Sequence, residues 1–129
     1  MKVLLTLFIG LVAPSIFAYD VVCSNMQGAS VTYDSESDVD ADGFSGDKFY
    51  LTFSSNSLVV EMSGLNNMKD TAKLSFKSND GWTSYIAAYG DVQRIWTYYP
   101  SKKVLARADI QTLIFYGTPE IKVMMSKCR

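Results

Sequence analysis

The chain has 129 residues, of which 48% are hydrophobic, 12 are basic and 13 are acidic, and its formal net charge is −1. This length suits one domain with one core, and the absence of a basic run argues against a nucleic-acid-binding surface. The sequence contains no histidine, which excludes Ser–His–Asp and Cys–His catalysis and removes the commonest metal ligand.

Residues 1–18 have the layout of a secretory signal peptide. A positively charged start precedes an apolar run, Pro14 interrupts that run, and a small residue, Ala18, ends the segment. The run is too short for a membrane-spanning helix, which needs about 20 apolar residues. We therefore expect cleavage after Ala18, export to the periplasm or the medium, and a single mature domain over residues 19–129 with no membrane span.

The two cysteines lie at opposite ends of the mature chain. Cys23 is near its start and Cys128 is the penultimate residue. In an oxidising compartment two cysteines allow one intramolecular pairing, whereas a zinc site would need further ligands. The sequence predicts a Cys23–Cys128 disulfide that ties the chain ends together.

An acidic segment over residues 34–47 is the one compositional outlier, and it is expected to be a loop between the first two strands. Within it, Asp38, Asp40, Asp42 and Gly43 match the first half of a calcium-binding loop. The position of the closing bidentate glutamate is Phe49, however, so the match is incomplete. A calcium site and a solvated acidic loop both remain open, and no other cofactor is indicated.

Eight strands are predicted from alternating apolar residues separated by turn residues such as Asn79-Asp80-Gly81 and Gly90-Asp91. They are Ser30–Tyr33, Lys48–Phe53, Leu58–Ser63, Ala72–Ser78, Trp82–Tyr89, Val92–Tyr99, Val104–Tyr116 and Glu120–Ser126. Gly64–Thr71 is expected to form one helical turn at most. Sequential strands joined by short turns predict an all-β, antiparallel, up-and-down eight-stranded barrel, with a β-sandwich as the alternative.

The alternation also predicts which side chains face the core. Leu74 and Phe76 share one face of their strand, and Ile121, Val123 and Met125 share one face of the last strand. Because successive side chains of a strand point to opposite sides, each apolar set is expected to face the interior.

Aromatic residues concentrate on the fifth and sixth predicted strands. Cross-strand core packing explains such a concentration, and a recognition patch is the alternative, since Tyr, Trp and Arg are common interface anchors. The charge of Arg94 shares a face with Trp96, so this face is either exposed or contains a buried ion pair. The candidate recognition patch comprises Tyr85, Tyr89, Arg94, Trp96, Tyr98 and Tyr99.

These features favour an exported, non-enzymatic binding module that binds another protein, as an inhibitor-like or envelope-interaction protein does. One alternative is a carrier of a small apolar ligand inside the barrel. A second is a hydrolase that uses two carboxylates, for which Glu61, Asp91 and Asp109 are the acids in or beside predicted strands.

Overall fold

The computed structural model describes residues 19–32, 38–64, 67–111 and 119–129. These residues form eight strands: β1 Val21–Thr32, β2 Asp38–Phe53, β3 Ser57–Ser63, β4 Met68–Lys77, β5 Thr83–Tyr89, β6 Val92–Tyr99, β7 Val104–Gln111 and β8 Glu120–Cys128. A three-residue 3-10 turn, Pro100–Lys102, connects β6 to β7. No helix within these four ranges is long and apolar enough to cross a membrane.

The strands close into the predicted antiparallel barrel. Each strand pairs with the next one in sequence, and β8 pairs with β1. Every strand therefore has two neighbouring strands, although β2 pairs with β3 only from Lys48 to Phe53 and with β1 along most of its length.

The predicted disulfide is present at one end of the barrel. Cys23 and Cys128 are opposite each other in the β1–β8 ladder, and their sulfur atoms are bonded. We call this the disulfide end; β1 begins there and β8 ends there. The β3–β4 and β5–β6 connections lie at the opposite end. The last five residues of the predicted seventh strand, 112–116, fall outside the described residues.

The acidic segment is a strand rather than a loop from Asp38 onward. Residues Asp38–Phe44 pair with Thr32–Met26 of β1, so both strands are much longer than the sequence predicts. Strand β4 likewise begins at Met68, within Gly64–Thr71, where the sequence predicts one helical turn at most. Sequence alternation fails to mark these stretches because their apolar and polar residues do not sort cleanly between the two sides of the sheet.

Large side chains fill the interior between the disulfide end and the middle of the barrel. Phe49, Met26, Leu51, Leu58 and Trp96 are fully buried there. Aromatic rings contact each other across this core, with the centroids of Phe49 and Trp96 6.2 Å apart. The interior is therefore a packed core in this region, with side chains of several strands interdigitating.

Two predicted core faces differ from the structure: on β4 Leu74 packs against the core as predicted but Phe76 does not, and on β8 the whole predicted face is wrong. The register shifts between Leu74 and Phe76, so one extra residue of β4 turns Phe76 outward, where it is 53% exposed. On β8, Ile121, Val123 and Met125 also point outward, because Cys128 is buried in the disulfide and strand alternation then sends Met124 and Ser126 inward with it.

Candidate functional site

The six residues of the predicted recognition patch do not lie on one surface. Tyr85 and Trp96 are buried in the core, and Tyr98 points inward, where its ring centroid is 5.2 Å from that of Phe53. Tyr99 is on the outside of the barrel and Tyr89 is at the end opposite the disulfide. The core-packing interpretation therefore applies to three of the six.

Arg94, the charged member of that set, is paired inside the barrel. Its Nε is 2.7 Å from Oδ1 of Asp109, and its Nη1 is 2.9 Å from Oδ2 of Asp70. These partners come from β4 and β7, on either side of the strands that carry the aromatic residues. Arg94 thus links two strands that are not neighbours in the sheet across the interior.

A second arginine completes a buried network of four charges. Nη2 of Arg107 is 2.6 Å from Oδ2 of Asp109, and its Nε also donates to this carboxylate. The Arg107 guanidinium carbon is 5.1 Å from the ring centroid of Phe44 and 5.3 Å from that of Trp96. Its Nη1 is buried without a hydrogen-bond partner among the described residues, so the aromatic faces provide its surroundings.

Two aromatic side chains hold the remaining carboxylate. The indole N–H of Trp96 donates to Asp70 at 3.0 Å, and the hydroxyl of Tyr89 donates to it at 2.7 Å. With Arg94, Asp70 therefore accepts from three side-chain donors. We call Asp70, Arg94, Arg107 and Asp109 the charge network.

The pKa values of Asp109 and Arg94 are both shifted from their ordinary values. Burial raises the pKa of Asp109, but the hydrogen bonds and charges of Arg107 and Arg94 outweigh burial and lower the pKa below its ordinary value. Burial lowers the pKa of Arg94, and the hydrogen bonds that Arg94 donates to Asp109 and Asp70 more than offset this, so its pKa is raised. Both shifts favour the charged forms of Asp109 and Arg94.

The carboxylates considered for hydrolysis have separate surroundings. Asp109 belongs to the charge network. Glu61 lies on the outer side of β3 with Lys69 3.1 Å away, and the hydrogen bond from Lys69 lowers the pKa of Glu61. Asp91 is in the turn between β5 and β6. A general acid needs a raised pKa, which neither Asp109 nor Glu61 has.

The aspartates of the calcium hypothesis lie along β2. Alternate residues of a strand are about 6.6 Å apart, so the strand does not draw Asp38, Asp40 and Asp42 together as a loop would. Asp42 instead pairs with Lys122 at 3.1 Å, and this contact lowers the pKa of Asp42. Within the described parts of the chain, no group of three or more acidic or cysteine side chains is placed to hold a metal ion.

An aromatic cluster on the outer surface was missed by the sequence analysis. The ring of Trp82 has its centroid 5.1 Å from that of Phe76 and 5.9 Å from that of Tyr99. The cluster, defined by these three residues, lies at the disulfide end of β4, β5 and β6. It exists because the register shift in β4 turns Phe76 outward, and no feature of the sequence pattern signals that shift.

Comparisons with protein-family models, with curated proteins and with solved structures found no significant match in any of the three. The function is therefore inferred from the surfaces of the chain itself.

Proposed function

We propose that the protein is an exported, non-enzymatic binding module that recognises another protein through the aromatic cluster. The observation that carries the proposal is the exposure of Phe76, which is 53% accessible beside Trp82 and Tyr99. Aromatic residues at an accessible, clustered position are characteristic anchors of protein interfaces, because they offer large apolar area at little cost in conformational entropy.

The surroundings of the aromatic cluster favour a partner with an apolar pocket and acidic residues near it. Lys102 and Lys103 are exposed in the turn that follows Tyr99. Charges at the rim of an interface mainly steer association and select the partner. An acidic surface would therefore be attracted to this end of the barrel, and the three rings would provide the buried contact.

Export is part of the proposal. It is supported by the signal-peptide layout of residues 1–18 and by the disulfide, since such bonds persist in oxidising compartments. The direct measurement is the N-terminal sequence of the protein recovered from the cell envelope or medium, which we expect to begin at Tyr19. An N-terminus at Met1 would contradict export by cleavage.

Surface recognition is favoured over the carrier hypothesis by how the interior is filled. Phe49, Met26 and Trp96 occupy the middle of the barrel without exposed surface, and the charge network occupies the space beyond them. An apolar ligand at that end would lie against charged side chains with which it cannot form hydrogen bonds, so this part of the interior is poorly matched to it.

The test is site-specific photo-cross-linking in the native cells. A photoreactive amino acid replaces Phe76 in one variant and Thr71, another exposed outward residue of β4, in the matched control. We expect an adduct of one defined mass from position 76 and none from position 71. Equal adducts from both positions, or none from either, would refute the proposal.

Affinity provides the second measurement once the cross-linked protein is identified. Phe76→Ser should weaken binding about tenfold or more, the effect of a single anchor residue. Thr71→Ser should bind like the unmodified protein. We expect circular dichroism and thermal unfolding to show an intact barrel in both variants, because half of the Phe76 side chain is already in water.

A further inference from the structure

The outer surface of β2, β1, β8 and β7 carries no charge over three successive rows of paired residues. From the end opposite the disulfide, the strand registers align the rows across the four strands. We call these twelve positions the aliphatic face: Val39, Val31, Ile121 and Ile110; Ala41, Ala29, Val123 and Ala108; Gly43, Gln27, Met125 and Ala106.

The most exposed large side chains of this face are on three adjacent strands. Val39 of β2 is 70% exposed, Met125 and Val123 of β8 are 57% and 49% exposed, and Val31 lies between them on β1. An exposed aliphatic surface of this extent is characteristic of an interaction site. The four strands of this face are already paired with one another, so contact with it uses side chains rather than an added strand.

The shape of the aliphatic face is complementary to that of a second copy. In the middle row Val123 stands above its neighbours, and Ala29 and Ala41 form a shallow depression beside it on β1 and β2. A twofold axis parallel to the strands, passing between β8 and β1, keeps rows at the same height. It places Val123 of each copy opposite Ala29 of the other, as an isologous interface requires.

The absence of charge on the aliphatic face permits contact between two copies of it. A twofold contact brings equal groups near each other, and like charges would repel. The outer side of β4 carries Lys69 and Lys73 and could not meet itself without that cost. The aliphatic face can, because all twelve of its positions are uncharged.

We infer that the aliphatic face joins two copies of this chain in a twofold dimer with Val123 against Ala29 of the other copy. The twelve positions lie on four strands about 4.8 Å apart and in three rows about 6.6 Å apart, so they cover roughly 400 Å² of the sheet. Because the barrel is convex, β8 and β1 make the closest contact and β2 and β7 lie at its rim. The buried area is below that of standard interfaces, so we expect a weak dimer with a dissociation constant on the order of micromolar or higher. The aromatic cluster lies on other strands and remains available for a different protein.

The experiment is sedimentation velocity of the exported protein from about 1 to 200 µM, a range that brackets this dissociation constant. We expect a concentration-dependent shift from monomer to dimer. Val123→Lys should raise the dissociation constant about tenfold or more, because it brings two lysines to the centre of the contact. The matched control, Thr71→Lys on the outer side of β4, should leave it unchanged.

The predicted register is tested by mixing two variants. Val123→Lys and Ala29→Asp should each dimerise poorly alone, whereas their equimolar mixture should form a heterodimer with a lysine–aspartate pair across one half of the interface. Three results would overturn the inference. The unmodified chain could stay monomeric throughout, the Val123→Lys variant could dimerise normally, or the mixture of the two variants could fail to form the heterodimer. Binding of a monomer to lipid vesicles in a Val123-dependent manner would also overturn it, since lipid would then be the occupant.

Discussion

Replacing Asp109 with asparagine should destabilise the protein more than any other single change in the charge network. Asp109 accepts hydrogen bonds from both Arg94 and Arg107, at 2.7 Å and 2.6 Å respectively. Asparagine retains one acceptor oxygen but presents an amide N–H₂ where the second guanidinium donates. Arg94 would keep its bond to the carboxylate of Asp70, whereas Arg107 would lose the carboxylate to which its Nε and Nη2 donate.

The expected loss is about 3–5 kcal/mol, the cost of removing one member of a buried ion pair and leaving its partner charged. Both arginine side chains are at most 11% exposed, so water cannot replace the missing carboxylate. Domains of this size typically have about 5–15 kcal/mol of stability. The variant should therefore fold, if at all, with a clearly reduced urea midpoint.

Acid should reduce the difference between the unmodified protein and Asp109→Asn. The folded pKa of Asp109 is lower than its ordinary value, so the stability that its charge provides is fully present above about pH 4, near the unfolded pKa. That contribution is lost as the pH falls through the folded pKa, and the asparagine variant has none to lose. The gap should thus be constant from pH 6 to 8 and narrow below about pH 4.

Urea unfolding followed by tryptophan fluorescence and circular dichroism measures these differences. Glu61→Gln is the matched control, because it removes an acidic partner from an exposed pair with Lys69 that solvent screens. It should unfold near the midpoint of the unmodified protein. A loss under about 1 kcal/mol for Asp109→Asn at pH 7 would refute the view that the network is a buried, mutually dependent unit.

Three further variants test separate parts of the fold by the same unfolding measurement. Cys23→Ala with Cys128→Ala opens a loop of 105 residues and should cost about 4–5 kcal/mol if the cross-link acts on the unfolded chain; an unchanged midpoint would contradict this. Gly28→Ala makes a methyl group collide with the backbone oxygen of Val123 on β8 and should cost about 1–3 kcal/mol, whereas a neutral effect would show that β1 and β8 can separate. Trp96→Phe removes the N–H donor to Asp70 and should cost about 1–3 kcal/mol, and full stability would mean that this bond is dispensable.

The barrel could be predicted from the sequence because its strands follow one another and most are bounded by polar turns. Strand β6 has the predicted limits, Val92–Tyr99, and the disulfide follows from having two cysteines in an oxidising compartment. The early part of β2 could not be predicted, because its acidic residues have low strand propensity and are held by pairing with β1.

The position of the charge network could not be predicted for a different reason. On β7, Val104, Ala106 and Ala108 share one side, and Arg107 and Asp109 share the other. The usual rule sends the apolar side inward, and here it goes outward. Burial of the polar side depends on the pairing of Asp109 with Arg107 and with Arg94 of β6. Alternation in one strand carries no information about partners in another.

The inverted polarity of β7 and β8 connects the charge network to the aliphatic face. Burial of Cys128 fixes which residues of β8 point inward, and the β7–β8 register then fixes β7 as well. Once Arg107 and Asp109 are inside, Ala108 and its aliphatic neighbours must be outside, since adjacent residues of a strand point to opposite sides. A fold that buries four charges at a cost in desolvation and exposes aliphatic side chains is poorly explained as an isolated monomer. Association through the exposed side would recover apolar burial that the monomer forgoes, so the proposed dimer and the buried charges both follow from the same strand register.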